Sequence, residues 1–111
     1  MPTTYKVLGQ KSSTSWTDLY VPGSSPATSS VVSSIVVCNT GSIDRTFSVA
    51  VVESSGRTPV ASSSLAYNTT VLANDSVVLA FGITLGPGNA LRVSGSAGDV
   101  GFSAFGTEIT S

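Results

Sequence analysis

The sequence is poor in the residues on which most enzyme chemistry depends. Its 111 residues include no histidine and a single cysteine. Without histidine the chain lacks the commonest general base and metal ligand of proteins. The lone Cys38 cannot form an intramolecular disulfide, which is compatible with folding in a reducing cytoplasm. We therefore expect no enzymatic activity, no metal and no cofactor.

Charge is the second scarce property. Charged residues make up 10% of the chain, whereas about 25% is usual in a soluble domain. The lysines and arginines are scattered, so the chain lacks the basic cluster that binds nucleic acid. No apolar run approaches the ~20 residues of a membrane span, and the opening MPTTYKVLGQ lacks the apolar stretch of a secretory signal. The sequence predicts one domain over residues 1–111, with neither a nucleic-acid nor a membrane partner.

Serine and threonine take the place of the missing charge and fill about three positions in ten. They stand directly beside branched apolar residues, as in VVSSIVVCNTG at residues 31–41. Such a surface costs little to bury, because these side chains lose little rotamer entropy and carry no charge to desolvate. One interpretation is a mildly acidic β-domain that merely prefers serine and threonine. We favour the other, a domain covered extensively by neighbouring subunits.

The apolar residues recur with a period of two in short runs, and the turn formers Gly, Pro, Asn and Asp separate these runs. This pattern is typical of strands and turns rather than helices. We predict strands at residues 4–8, 15–21, 30–39, 45–52, 63–71, 76–83, 91–93 and 100–109. Eight strands at this spacing predict an all-β fold, an antiparallel β-sandwich of jelly-roll type, with a small closed barrel as the alternative.

The third predicted strand is apolar on both sides. Alternation places Val31, Ile35 and Val37 on one face and Val32, Val36 and Cys38 on the other. We therefore expect a central strand that is covered on both faces, with Cys38 as a small core hydrophobe.

The motifs of common active sites are missing. The sequence contains no Gly-x-Ser-x-Gly elbow, no phosphate-binding loop and no calcium-binding loop. Asp44, Asp75 and Asp99 fall in predicted turns, where aspartate bonds to the local backbone. Glu53 and Glu108 lie at strand ends far apart in the sequence, and nothing in the pattern supports a carboxylate pair.

Several segments together resemble a known family. In order along the chain they are YKVLGQ, TDLYVP, VVSSIVVCNTG, LAYNTTV, ANDSVVLAFGITL and LRVSGSAGDVGFSAFGTEI. Their order and spacing, over residues 5–109, resemble a small β-rich module of virion structural proteins in tailed bacteriophages, notably those of aquatic hosts. The resemblance implies a virion protein that is assembled in the host cytoplasm.

Three functional hypotheses follow. The first is a non-enzymatic capsid decoration (cement) protein that forms a homo-oligomer, for example a trimer, on the major capsid protein. The second is a tail, baseplate or fibre component. The third is a carbohydrate-binding module, whose platform would be Trp16 and Tyr20 on one predicted face. Residues 1–10 are a candidate N-terminal arm, and the candidate interface residues are Tyr5, Lys6, Trp16, Tyr20, Pro22 and Pro26.

Overall fold

The structure is a computed structural model that describes residues 3–23, 27–54, 56–60 and 64–110. Strands are the only regular elements in these residues. They are β1 (Thr3–Ser12), β2 (Thr17–Tyr20), β3 (Thr28–Asn39), β4 (Arg45–Val52), β5 (Ser64–Val71), β6 (Ser76–Leu85), β7 (Ala90–Gly95) and β8 (Val100–Thr110). The all-β prediction is confirmed.

The strands form two four-stranded antiparallel sheets. The first sheet has the order β1-β8-β3-β6 and the second has the order β2-β7-β4-β5. β1 pairs with β8, β2 with β7, β3 with β6 and β4 with β5. The chain is therefore one long hairpin, which turns between β4 and β5 and is wrapped into two layers. This is the jelly-roll arrangement, and it confirms the predicted sandwich.

The core lies between the two sheets. Phe47 of β4 and Phe102 of β8 meet edge to face across the sheets, with ring centroids 6.3 Å apart. Both rings are almost completely buried. Side chains of this size contribute about 1.5–3 kcal/mol each when they are removed from water, so this contact holds the two layers together.

A β-bulge in β3 corrects the predicted facing of this strand. The register against both β6 and β8 shifts between Val32 and Ser34. Val32 therefore shares the core with Ile35 and Val37, whereas Val31 points outward. The prediction that Val31 shares a face with Ile35 is wrong, because one extra residue reverses the alternation.

The structure also corrects the expectation of an N-terminal arm. Residues 3–10 belong to β1, which is hydrogen-bonded along β8 from Thr3 to Ser12. This pairing covers a strand edge of β8 that would otherwise be exposed. Residues 1–2 lie outside the described part of the chain.

Of the aspartates predicted in turns, Asp75 bonds to the adjacent backbone as expected, whereas Asp44 bonds to a backbone N–H 29 residues away and Asp99 pairs with an arginine. Asp44 Oδ1 accepts a hydrogen bond from the Ala73 N–H at 2.9 Å, and Asp75 Oδ1 accepts one from Ser76 at 2.8 Å. Asp99 Oδ1 lies 3.2 Å from Arg45 Nε. These carboxylates stabilise turns and strand ends.

Candidate functional site

The outward side chains of the first sheet form a surface without charge. The register places them in rows across the strands. The rows are Thr3, Ile109 and Ser29; Tyr5, Thr107, Val31 and Thr84; Val7, Phe105, Ser34 and Ala80; Gln10, Ser103, Val36 and Val78; and Ser12, Gly101, Cys38 and Ser76. We call these residues the uncharged face, since none of them is Asp, Glu, Lys or Arg.

The uncharged face exposes large apolar side chains. Tyr5 is 84% exposed and Val78 is 63% exposed, and Val7 and Val31 are also in contact with solvent. The half-buried Cys38 lies on this face, so the prediction of a core cysteine is wrong. β3 is central in its sheet, as predicted, but the residues that the structure describes cover only its inner face. Exposed apolar surface of this kind typically marks an interaction site.

The charged side chains of the first sheet turn away from the uncharged face. In the described strands they are Lys6, Lys11 and Glu108. Lys6 Nζ lies 3.2 Å from Glu108 Oε1, and Lys11 Nζ donates to Thr17 Oγ1 of the second sheet at 3.4 Å. The charge of this sheet is therefore gathered at the edge that faces the second sheet.

Tyr20 connects the two sheets from the inside. Its hydroxyl donates to Glu108 Oε2 at 2.5 Å and also lies 2.5 Å from Ser30 Oγ. Burial, reinforced by the hydrogen bond to Glu108, raises the pKa of Tyr20 to about 12. The hydrogen bond from Tyr20 lowers the pKa of Glu108. At neutral pH this is a neutral phenol bound to a carboxylate, an arrangement that stabilises the fold.

This placement overturns the predicted sugar platform of Trp16 and Tyr20. Tyr20 is only 9% exposed, and the register between β2 and β7 shifts between Asp18 and Tyr20. The shift turns Tyr20 into the core, whereas Trp16 remains half-buried at the surface. The two rings therefore do not share an exposed face.

Trp16 instead lines the same cavity as Tyr67. The two rings, together with Pro59, Val60 and Ser64, line a half-open cavity of about 450 Å³, which we call the aromatic groove. One cross-strand row on the outer face of the second sheet runs from Asp18 through Arg92 and Ala50 to Ser64. The aromatic groove therefore lies on the side of the sandwich opposite the uncharged face.

Arg92 holds both walls of the aromatic groove. Its Nη1 donates to the Arg57 carbonyl at 2.8 Å and its Nη2 donates to the Trp16 carbonyl at 3.0 Å. Its Nε forms an ion pair with Asp18 Oδ1 at 3.0 Å. Arg92 lies on the outer face of β7, yet its side chain is only 11% exposed.

The remaining candidate interface residues are scattered. Tyr5 lies on the uncharged face, whereas Lys6 points to the other side of β1 and forms an ion pair with Glu108. Pro22 is buried, and its carbonyl accepts a hydrogen bond from the Gly88 N–H at 3.2 Å. Pro26 lies outside the described residues. The five candidates that the structure describes therefore do not form one surface.

Across residues 3–23, 27–54, 56–60 and 64–110, no group of three or more His, Cys, Asp or Glu residues could hold a metal ion. The same ranges contain no helix of a length and apolarity suited to crossing a membrane. The sequence matches no protein-family model and no curated protein.

Proposed function

We propose that this chain is a non-enzymatic virion structural protein, a capsid decoration protein that oligomerises on a phage shell and stabilises it. The uncharged face is the observation that carries the proposal. It combines exposed Tyr5, Val7 and Val78 with serine and threonine, and it contains no side chain whose charge must be desolvated. The desolvation free energy of such a face is therefore small when a second protein surface covers it.

The size of the uncharged face is adequate for a specific contact. Four strands ~4.8 Å apart, about ten residues long at ~3.3 Å per residue, span a flat area of roughly 600 Å². Two such faces bury about 1,200 Å², the lower end of the range for stable protein interfaces. We propose that a second copy of the chain or a capsid subunit packs on it as one sheet packs on another, about 10 Å away.

The jelly-roll fold is compatible with this role, since viral capsid proteins use it, although lectins use it as well. The resemblance to phage virion modules is the ground for assigning the partner to a virion. A protein that covers seams between capsid subunits needs buried area and no catalytic residues, in agreement with the expected lack of enzymatic activity.

The first test is a charge placed in the uncharged face. Val78→Lys should weaken self-association and shell binding by at least ~10-fold, because a lysine there must be desolvated on contact. Val60→Lys is the matched control, since Val60 is 61% exposed against 63% for Val78 but lies on the opposite side. Analytical ultracentrifugation measures self-association, and co-sedimentation with shells measures shell binding. Equal behaviour of the two variants contradicts the role of the uncharged face.

The second test locates the chain by immunogold electron microscopy of virions whose genome encodes it. Label over the whole head supports decoration. Label confined to the tail contradicts decoration and favours a tail, baseplate or fibre component. Virions without label contradict the virion proposal altogether.

A further inference from the structure

We infer that the aromatic groove is a binding site for a neutral carbohydrate. The inference goes beyond the proposed function and does not depend on it, since the groove lies on the opposite side of the sandwich from the uncharged face. The volume of about 450 Å³ falls within the ~300–1,000 Å³ of small-molecule sites. One or two sugar rings fit a cleft of this size.

The lining determines the chemistry of the ligand. Trp16 and Tyr67 supply flat apolar rings, and Pro59 and Val60 supply an apolar wall. Polar contacts are available from the indole N–H, the phenol and the Ser64 hydroxyl. None of the lining residues that the structure describes is charged, so the ligand that matches is neutral, with an apolar face and hydroxyl groups at its rim. A pyranose ring has this character, because its C–H groups stack on an aromatic ring while its hydroxyls form hydrogen bonds.

Hydrogen bonds hold the walls of the aromatic groove in position. Arg92 bonds to the carbonyls of Trp16 and Arg57, and so joins the β1–β2 connection to the segment that leads to Pro59 and Val60. Ser64 Oγ donates to the Val60 carbonyl at 3.1 Å and fixes the far end of that segment. A site whose walls are already positioned loses less entropy on binding.

The position of the aromatic groove fits a role at the surface of a larger assembly. When the uncharged face is covered, the outer face of the second sheet still points to solvent, because the two faces lie on opposite sides of the sandwich. Tyr67 is 69% exposed there. A covered sheet and an exposed sugar site can therefore operate together in one chain.

Trp16 is the only tryptophan in the chain, so its fluorescence reports on the groove directly. The experiment titrates the full-length protein with neutral gluco-, galacto-, manno- and N-acetylglucosamine oligosaccharides, with poly-L-proline as a peptide probe. We expect a saturable change in Trp16 fluorescence with at least one oligosaccharide. Tyr67→Ala should weaken this binding by at least ~10-fold, a loss of about 1.4 kcal/mol.

The matched control is Tyr5→Ala, which removes an exposed tyrosine from the uncharged face and should leave the affinity unchanged. Both tyrosines are solvent-exposed, so neither variant is expected to unfold the chain. Three results would overturn the inference. They are no saturable response to any oligosaccharide, equal affinity in Tyr67→Ala and wild type, and saturation by poly-L-proline alone, which would identify a site for proline-rich peptides.

Discussion

Replacing Tyr20 by phenylalanine removes one buried oxygen atom and leaves the aromatic ring in place. In the folded chain this oxygen bonds to Glu108 Oε2 and lies 2.5 Å from Ser30 Oγ, which is fully buried. The substitution therefore removes the side-chain bonds that join β2 to β8 and β3. A hydrogen bond to a charged group contributes about 1.5–3 kcal/mol. We expect Tyr20→Phe to lower the free energy of unfolding at pH 7 by about 2–3 kcal/mol.

The same substitution should remove part of the pH dependence of the free energy of unfolding at alkaline pH. Burial and the bond to Glu108 raise the pKa of Tyr20 from 10.0 to about 12. As the pH rises, the unfolded chain ionises at this side chain before the folded chain does. The stabilising contribution is therefore complete below pH 10.0 and is lost as the pH rises to about 12. Across this pH window the free energy of unfolding of the wild type should fall by about 2–3 kcal/mol more than that of the variant.

Urea unfolding at a series of pH values, followed by circular dichroism and Trp16 fluorescence, measures both effects. Tyr5→Phe serves as the control, since Tyr5 is exposed and its loss of a hydroxyl should change neither quantity. Parallel loss of stability in the wild type and Tyr20→Phe above pH 10.0 would refute the reasoning on ionisation. Equal stability at pH 7 would show that the two hydrogen bonds add nothing to the fold.

Two further substitutions test the bulge in the first sheet and the walls of the aromatic groove. A Cβ on Gly106 would overlap the Val31 carbonyl oxygen, whereas a Cβ on Gly101 of the same strand would point into open space. Gly106→Ala should therefore lower the free energy of unfolding by about 3 kcal/mol, and Gly101→Ala should lower it far less. Thermal unfolding measures both values. Comparable costs at the two positions would argue against close packing at the bulge. Arg92→Met removes the ion pair with Asp18 and the hydrogen bonds that hold both walls of the groove. It should lower the free energy of unfolding by about 2–3 kcal/mol and shift Trp16 fluorescence to the red. An unchanged spectrum would contradict the role of Arg92 in positioning Trp16.

The strands could be predicted because they depend on local properties of the chain. Alternating apolar residues bounded by turn formers predict the Arg45–Val52 strand, and β4 has these same bounds. Asn74 has φ 56° in the turn between β5 and β6, a left-handed conformation that asparagine adopts more readily than most residues. The ends of β1 were harder to predict, since Gln10, Lys11 and Ser12 are polar and belong to a strand only through their pairing with β8.

The aromatic groove could not be predicted in the same way. Trp16 precedes β2 and Tyr67 lies in β5, and these strands are the two edges of the second sheet. Their side chains line one cavity because the long hairpin is folded into two layers and because residues 56–60, which follow β4, lie across the outer face of the second sheet. A spacing of two residues suggested Trp16 and Tyr20 as neighbours, but the register shift after Asp18 separates them.

By itself the sequence determined that this protein is a charge-poor β-sandwich with apolar side chains on more than one face. Composition and alternation are enough for that, because they decide which residues must leave water and with what period. Only the tertiary structure decided which residues face outward. In VVSSIVV one extra residue at Ser33 reverses the alternation, and the preceding backbone of Val31 and Val32 packs so closely on Gly106 of another strand that no Cβ fits there. The uncharged face and the aromatic groove both depend on such long-range contacts, which no local pattern encodes.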